Sequence, residues 1–424
     1  MLGFKRNQTK PAHKSARASA KNPIKELFHL LVSADGATVH RVRGGIDKPF
    51  FVLVIILICL GSIAVSTAGY VYARERSVFG YDSFYFIKKQ VVWAALALAA
   101  MFGMSLVDYG FLKKMALPIT GVAVVLLLLV FVPGIGVSAN GARRWIDIGI
   151  QFQPSEIAKL ALVMLLSLYI SKTAGRAGTF KYGVLYPASL VVFFCGLVAL
   201  EKHMSATIIL FLLGASMIFI AGVEKRWIAA VSVTGALGAS YIIFFTDYTK
   251  ARVDAWLHPE LHLKTGSYQP YEGLLAIGSG GFFGTGLTGS IQKYMWLPEP
   301  YNDFIYAIWC EELGFVGAVG LVVLFMLLAW RGFTIARKAP DVFSAMLVTG
   351  LTLKVTFQAM LNIAVVTSII PTTGIALPFF SYGGTALVMQ LAEMGIILSI
   401  SRYSSGEKQE IKLTQNTSER ISVK

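Results

Sequence analysis

The sequence is dominated by apolar runs, each close to the ~20 residues that a helix needs to cross a bilayer. We place these runs near residues 50–72, 87–107, 111–132, 155–171, 182–200, 205–223, 227–246, 303–329, 342–368 and 382–401. Charged residues make up 14% of the chain, whereas an average soluble domain has about 25%. These features predict an all-α polytopic membrane protein with about ten transmembrane helices.

The basic amino-terminal segment sets the predicted orientation. Residues 1–48 are rich in Lys and Arg and carry much of the net charge of +15, which favours the cytoplasmic side and anionic lipid. Membrane anchoring therefore explains the charge without a nucleic-acid partner. An even number of spans in the membrane domain, residues 49–402, places the polar tail 403–424 on the cytoplasmic side as well. Within the first tail, residues 24–34 could form a short interfacial helix.

Three connections on the predicted outer face have the composition of functional loops. The longest, residues 247–302 between the seventh and eighth spans, contains aromatic residues and many glycines, which predicts an ordered cap over a groove. Residues 133–154 contain most of the sequence NGARRWIDIGIQFQPSE, which runs on to Glu156. Residues 370–381 are broken by two prolines and a glycine, so we expect this segment to be buried in protein or to line a wet cavity.

Asp303 lies where the polar end of the longest loop becomes the eighth apolar run. A carboxylate can stay ionised at this position because water and the amino terminus of a helix both favour its charge. A simple helix cap is the alternative, since Asp often fills that role. The neighbouring Gln292, Lys293 and Glu299 supply more donors and acceptors than a cap requires, and they indicate a site for a sugar or a phosphate.

Two adjacent arginines, Arg143 and Arg144, precede Trp145 at a predicted outer membrane edge. Arg and Trp commonly anchor a chain at the interface, which is one interpretation. The other is a binding site for a lipid-linked pyrophosphate, because a guanidinium group matches a phosphate with two parallel hydrogen bonds. The sequence leaves both interpretations open.

The ninth predicted span carries three polar residues at steps of four, which places them on one face: Lys354, Gln358 and Asn362. Ionisable residues inside a span are candidates for function. Glu311 or Glu312 of the eighth span, or Glu393 of the tenth, could neutralise Lys354. A purely structural polar network is the alternative.

Other motifs point away from nucleotide and metal-hydrolase chemistry. Residues 284–289 match GxGxxG, but no predicted strand precedes them, so a flexible glycine loop is the interpretation. Glu156 and Lys159 are spaced for a local ion pair on one helix. The six His and three Cys residues show no metal-ligand spacing, and no Walker sequence is present. Any energy source would therefore come with the substrate or from an ion gradient.

Four stretches together resemble the SEDS family of polytopic peptidoglycan polymerases, which comprises FtsW, RodA and SpoVE. They are GARRWIDIGIQFQPSEIAK at 141–159, QKYMWLPEPYNDFIYAIWCEELGFVG at 292–317, QAMLNIAVV at 358–366 and PTTGIALPFFSYGG at 371–384. Together with the Ile-Ser-Arg ending at Arg402 they follow the family order, so the resemblance covers all but the two tails. The basic amino-terminal tail and the sequence LPEPYNDFIYA resemble the FtsW and SpoVE branch more than RodA.

The resemblance implies a GT-C-like glycosyltransferase of ten spans, with its large extracytoplasmic loop between the seventh and eighth helices. The implied reaction polymerises lipid II onto a nascent glycan strand through an inverting β-1,4 transfer. The implied partners are a class B penicillin-binding protein and other membrane proteins of the division complex. The implied location is the plasma membrane at the septum, with both termini cytoplasmic and the active site outside. Elongation or sporulation versions of the polymerase, and a lipid II flippase or transporter, are the alternatives.

The family's essential outer-face aspartate corresponds to Asp303, which we expect to act as the base on the acceptor hydroxyl. Ser381, Tyr382 and Gly383 lie in a matched stretch and are expected to contact substrate. Arg143, Lys293 or a divalent cation would stabilise the departing pyrophosphate. Mg²⁺ or Mn²⁺ could be held by Asp303 with Glu299, and no nucleotide cofactor is expected because lipid II carries its own activated bond.

Two positions depart from the family pattern. Residues 201–207 read EKHMSAT, where relatives often have an acidic PDxGT-like stretch. Thr373 stands where many relatives have a lysine. Any role of those two positions is therefore open in this chain, whereas the correspondence of Asp303 is unaffected.

Overall fold

Helices account for nearly all of the regular structure in the computed structural model. It describes residues 27, 30–32, 44–139, 142–147, 149, 151–223, 227, 247–263 and 266–422, the last part (404–422) as backbone. The helices, in chain order, are α1 Lys48–Arg74, α2 Tyr85–Leu106, α3 Tyr109–Leu129, α4 Pro154–Thr173, α5 Tyr186–Leu200, α6 Met204–Ile220, α7 Asp247–Leu257, α8 Tyr268–Ser279, α9 Ile305–Arg337, α10 Val342–Val366 and α11 Gly384–Ser422. Short 3₁₀ turns occupy Ser77–Phe79, Ala174–Arg176 and Pro259–Leu261, and one π-helical turn, Phe180–Leu185, leads into α5.

Eight helical segments in this part of the chain are long and apolar enough to cross a membrane, and the shorter apolar helix α6 accompanies them. They occupy nine of the ten apolar runs named above, which confirms the polytopic helical architecture. The seventh run, 227–246, lies outside the described residues apart from Trp227, and so does most of the predicted interfacial helix at 24–34. Beyond the last span, α11 continues as a helix through most of the predicted polar tail.

Polar side chains cap the first turns of two helices, α1 and α10. Asp47 accepts a hydrogen bond from the backbone of Phe50 and so caps α1. The same carboxylate accepts two hydrogen bonds from Arg331 of α9, at 2.8 and 2.7 Å, which joins α1 to α9. At the start of α10, Asp341 and Ser344 form a reciprocal capping box.

The interior of the bundle is built around α4 and α10, which are buried along most of their length. Both helices carry apolar side chains around most of their circumference, as expected for helices enclosed by others. Their few charged residues, among them Lys159 of α4 and Lys354 of α10, are buried in the bundle. By contrast, α2 and α3 expose large apolar side chains such as Val91, Leu96, Phe102 and Val125. In a membrane protein such exposed apolar faces contact lipid.

One end of the bundle, here named the loop end, carries the long connections. Helices α1, α3, α5 and α10 end there, and α2, α4, α6, α9 and α11 begin there. A small antiparallel sheet, ordered β1 Gly136–Ala139, β2 Ala142–Asp147 and β3 Gln151–Phe152, also lies at this end. It was not predicted from the sequence. Helix α7 lies across the segment after α10, because Trp256 donates to the carbonyl of Ser368 at 2.8 Å.

Helix α9 is broken at Gly314, which has φ 64° and ψ −163°. The segment after α8 fills the break: Thr285 donates its backbone N–H to the Glu311 carbonyl at 2.9 Å, and Phe315 donates to Gly281 at 2.9 Å. A Cβ on Gly284 would lie 2.2 Å from the Glu312 carbonyl oxygen, so only glycine fits there. The prediction of a flexible glycine loop at 284–289 is therefore wrong, because the segment is packed against backbone.

Candidate functional site

Asp303 lies two residues before α9, at the loop end of the bundle. The N-cap of α9 is Phe304, and no side chain caps this helix. The interpretation of Asp303 as a simple helix cap is therefore wrong. The Asp303 carboxyl does not cap the start of α9 and can therefore act on a substrate.

Three hydrogen bonds fix the backbone that carries Asp303. The Asn362 side chain donates to the Asp303 carbonyl at 2.7 Å, and the Ser381 hydroxyl donates to the Asn302 carbonyl at 2.9 Å. The backbone N–H of Tyr382 donates to the Tyr301 carbonyl at 2.9 Å. Three consecutive carbonyls are thus fixed by α10 and by the segment before α11. Asn362, a candidate for function in the ninth span, and Ser381, predicted to contact substrate, both support the Asp303 backbone in the structure.

The segment 371–374 lies directly against the Asp303 carboxyl. Gly374 has φ +72°, and a Cβ built there would lie 3.3 Å from Oδ2 of Asp303. Arg252 of α7 donates to the carbonyl of Thr372 at 2.8 Å, and the hydroxyl of Ser205 donates to the carbonyl of Thr373. The two places where the sequence departs from the family pattern therefore contact each other beside the site.

The surroundings of Asp303 raise the pKa of its carboxyl toward neutral pH. The residue keeps partial contact with solvent, yet protein surrounds the carboxyl densely, and this burial raises its pKa to about 6. The negative charge of Glu299 also raises the pKa, whereas Arg252 and Arg144 lower it. The carboxyl is therefore mostly ionised at pH 7, and its pKa lies near the range that suits a general base.

The two candidate arginines lie on β2 and have different environments. One step along β1, from Val137 to Ser138, corresponds to two steps along β2, so Arg144 is the extra residue of a β-bulge. Arg144 donates to the carbonyl of Lys202 at 2.8 Å, whereas Arg143 is exposed. The bulge thus directs one guanidinium group toward the site and leaves its neighbour at the surface.

The turn between α5 and α6 adds two buried titratable groups. Burial raises the pKa of Glu201 to about 8, and the positive charge of Arg144 opposes the rise. Burial lowers the pKa of His203 to about 3, so the imidazole is neutral at pH 7. His203 lies 3.2 Å from the Ser155 hydroxyl and 3.3 Å from the Gln153 amide.

A buried ion network lies below the site in the spans. The ammonium of Lys354 contacts Glu393 at 2.6 Å and Glu156 at 3.3 Å, and Lys159 contacts Glu156 at 2.7 Å. This confirms the local pair of Glu156 with Lys159 and the pairing of Lys354 with Glu393. The side chain of Gln358 extends from the same face and donates to the carbonyl of Ala376 at 3.1 Å.

The other proposed partners of Lys354 were wrong, because both are used elsewhere. Glu311 accepts hydrogen bonds from the Ser290 hydroxyl and from the backbone of the following residue, Ile291. Glu312 forms an ion pair with Lys293 at 2.8 Å, and both side chains are almost fully buried. This pairing removes the ammonium of Lys293 from the surface, although it was a candidate for binding the departing pyrophosphate.

The remaining candidates, Gln292, Glu299 and Gly383, lie in the segments that lead into α9 and α11. Gln292 is partly buried, and its backbone N–H lies 3.4 Å from the carboxylate of Glu311. Glu299 is exposed and accepts a hydrogen bond from the Asn302 side chain at 2.8 Å. Gly383 precedes α11 and accepts the first backbone hydrogen bond of that helix.

Sequence reasoning did not single out Arg252. The available signal was a basic residue in the loop that leads to Asp303. This signal could not show that α7 folds back over residues 368–372. A divalent cation could use Asp303 and Glu299, because Mg²⁺ commonly takes one or two carboxylates together with substrate phosphates. Within the described ranges, no group of three His, Cys, Asp or Glu side chains is placed to hold a metal alone.

The fold and site define a class: a polytopic helical membrane protein with a fixed carboxyl and two guanidinium groups at one end of its bundle. Residues 47–406 match the family model of FtsW, RodA and SpoVE, described as cell cycle proteins, and the chain belongs to this family. It is 37% identical to a probable peptidoglycan glycosyltransferase FtsW of Geobacter sp. (strain M18), over 87% of this chain and 100% of that protein. It is 36% identical to stage V sporulation protein E of Bacillus subtilis (strain 168), over 84% and 97% of the two chains.

Solved structures show the same architecture. A chain from a peptidoglycan synthase complex, studied for the coordination of polymerization and crosslinking, has a TM-score of 0.71 and 28% identity. The match covers 85% of this chain and 98% of that one. The rod shape determining protein RodA of Thermus thermophilus has a TM-score of 0.62 and 26% identity, over 84% and 97% of the two chains.

Proposed function

We propose that this protein is a peptidoglycan glycosyltransferase that polymerises lipid II into glycan strands, with Asp303 as its general base. The observation that carries the proposal is the placement of the Asp303 carboxyl: three hydrogen bonds fix its backbone, and the positive charges of Arg144 and Arg252 act on it. Two of the similar proteins support the same activity. The Geobacter relative is named a probable peptidoglycan glycosyltransferase, and one of the similar solved structures belongs to a peptidoglycan synthase complex.

The proposed reaction is a single displacement with inversion. The 4-hydroxyl of the acceptor sugar attacks the anomeric carbon of the donor, and the bond from that carbon to the lipid pyrophosphate breaks. Asp303 accepts the proton of the attacking hydroxyl. Arg144 and Arg252 supply positive charge that stabilises the departing pyrophosphate, as preorganised donors do where charge develops.

A divalent cation fits the same arrangement. Mg²⁺ or Mn²⁺ bound by Asp303 and Glu299 would add positive charge toward the pyrophosphate. Glu299 is exposed and its backbone has φ +46°, so its carboxylate stands on a tight turn four residues before Asp303. The chemistry of two carboxylates suits a cation completed by phosphate oxygens.

The proposed setting follows from orientation. The basic amino-terminal tail favours a cytoplasmic start, which supports an extracytoplasmic position for the loop end and for Asp303. A class B penicillin-binding protein is the proposed partner, and the division septum is the proposed location. The FtsW and SpoVE relatives support a role in division or sporulation over one in elongation.

The test uses the purified full-length chain with a class B penicillin-binding protein in detergent, given fluorescent lipid II. Glycan strands resolved by gel electrophoresis are the expected product. The same chain in sealed vesicles carrying lipid II separates the flippase alternative. Translocation of lipid II without chain growth would contradict the proposed glycosyltransferase function.

A further inference from the structure

Glu201 is a buried acid that the proposed reaction does not use. It follows α5 in the turn to α6, its exposure is 1%, and neither carboxyl oxygen has a hydrogen-bond partner among the described residues. A buried carboxyl without a partner is costly as an anion, because burial removes the water that would stabilise its charge. Such a group calls for an explanation beyond packing.

The geometry of the turn connects Glu201 to the site through Arg144. The next residue, Lys202, has φ 57°, a left-handed conformation that side chains rarely adopt. The carbonyl of Lys202 accepts the hydrogen bond from Arg144 at 2.8 Å. This bond holds the guanidinium group at the backbone of the residue that follows Glu201. The positive charge of Arg144 lowers the pKa of Glu201 and also that of Asp303.

Few other charges bear on Glu201 in the described part of the chain. Arg144, from β2, is the charged group that lowers its pKa. On its own turn, His203 is neutral at pH 7, and the side chain of Lys202 is exposed. From α4, Lys159 and Glu156 form an ion pair with each other. The state of Glu201 is therefore governed by burial and by Arg144.

We propose that Glu201 is a positioning residue that acts through Arg144 to set how strongly this end of the bundle binds an anionic diphosphate. As a neutral acid, Glu201 leaves the charge of Arg144 to the ligand. As a carboxylate, it competes with the ligand for the same guanidinium group. A lipid diphosphate as the ligand rests on the proposed function, whereas the coupling between Glu201 and Arg144 rests on the turn geometry.

The experiment measures the binding of undecaprenyl pyrophosphate to the purified chain in detergent micelles between pH 7 and pH 9. If only the form with neutral Glu201 binds tightly, a pKa of about 8 weakens apparent binding by about tenfold over this range. Glu201→Gln removes the titration and keeps the shape, so its affinity should fall far less. Glu201→Asp restores an acid and should restore a pH-dependent loss.

Lys202→Gln is the matched control, because it changes an exposed side chain of the same turn and keeps the carbonyl that binds Arg144. It should show the wild-type loss of affinity with pH. An unchanged pH dependence in Glu201→Gln would overturn the inference, and so would a wild-type affinity that is flat from pH 7 to pH 9 or no binding at any pH. Binding needs no turnover, so the test does not depend on whether Asp303 acts as the base. A wild-type protein that polymerises lipid II but binds the diphosphate without pH dependence would overturn this inference alone and leave the proposed function standing.

Discussion

At the scale of the residue, the β-bulge on β2 separates two adjacent arginines by role. Arg144 is the extra residue of the bulge and reaches the turn after α5, whereas Arg143 is exposed. Sequence alone could not choose between anchoring and phosphate binding for this pair. The structure favours anchoring for Arg143 and anion binding for Arg144, because Arg144 and not Arg143 lowers the pKa of Asp303.

The prediction from this difference compares two single substitutions. Arg144→Gln should reduce the rate of lipid II polymerisation by about 10- to 100-fold, the typical value of a hydrogen bond to a charged group. Arg143→Gln removes the same charge one residue away and should lose much less. Initial rates with purified variants measure both, and equal losses would contradict the assignment of Arg144.

His203 gives a stability prediction at the same scale. Its pKa is about 3 in the folded protein and about 6.5 when unfolded, so the unfolded chain binds the proton first as the pH falls. The stability contributed by neutral His203 is complete above pH 6.5 and is lost progressively below it. From pH 7.5 to pH 5 the loss should be about 2 kcal/mol.

The measurement is denaturation of the purified chain in detergent at several pH values, compared with His203→Gln. The variant cannot titrate, so its stability should fall less between pH 7.5 and pH 5. Parallel curves for the two proteins would show that His203 is not the group responsible.

At the scale of the element, the segment before α9 is fixed by side chains from elsewhere. Asn362 of α10 is fully buried, and it donates to the carbonyls of Asp303 and Ile375 at 2.7 and 2.6 Å. Its spacing with Lys354 and Gln358 predicted a shared face correctly. The spacing could not show that Asn362 binds backbone, because the partner segments are distant in sequence.

Asn362→Leu tests this support. The change leaves two carbonyl groups without their donor, at a typical cost of about 1–3 kcal/mol for each buried polar group. We expect lower thermal stability and a reduced kcat, since Asp303 would lose a fixed position. Thr356→Val on the same helix is the control, because its hydroxyl donates to the carbonyl of Thr352 within α10. A wild-type kcat in Asn362→Leu would contradict the positioning role.

At the scale of the whole molecule, one ion network joins three buried helices. Lys354 of α10 lies between Glu156 of α4 and Glu393 of α11, and Glu393 is fully buried. Breaking a buried pair leaves an uncompensated charge, which typically costs about 3–5 kcal/mol. Stable packing of the three helices therefore requires that the buried charges beneath the site neutralise one another.

Lys354→Met should destabilise the protein by that amount in detergent, measured by thermal unfolding. The double variant Lys354→Met, Glu393→Gln should regain part of the loss, because the buried charge is then absent. Lys338→Met, at an exposed position after α9, is the control. Strict additivity of the two single changes would contradict a direct pair.

Across the whole molecule, the helices were the predictable part, because bilayer thickness fixes the length of an apolar run. The position of Asp303 at a loop-to-helix boundary was predictable for the same reason. The sheet at residues 136–152, the ion pair of Lys293 with Glu312 and the contribution of Arg252 were not. Each depends on contacts between segments far apart in the chain, about which local composition carries no information.

The most direct test of the account is the rate of glycan synthesis by Asp303→Asn with purified lipid II and partner protein. Asn keeps the shape of the side chain but cannot accept the proton, so we predict a loss of about 10²–10⁴-fold in rate. Glu260→Gln, an exposed acid in the same loop, should keep the wild-type rate. A wild-type rate in Asp303→Asn, with unchanged thermal stability, would contradict Asp303 as the base.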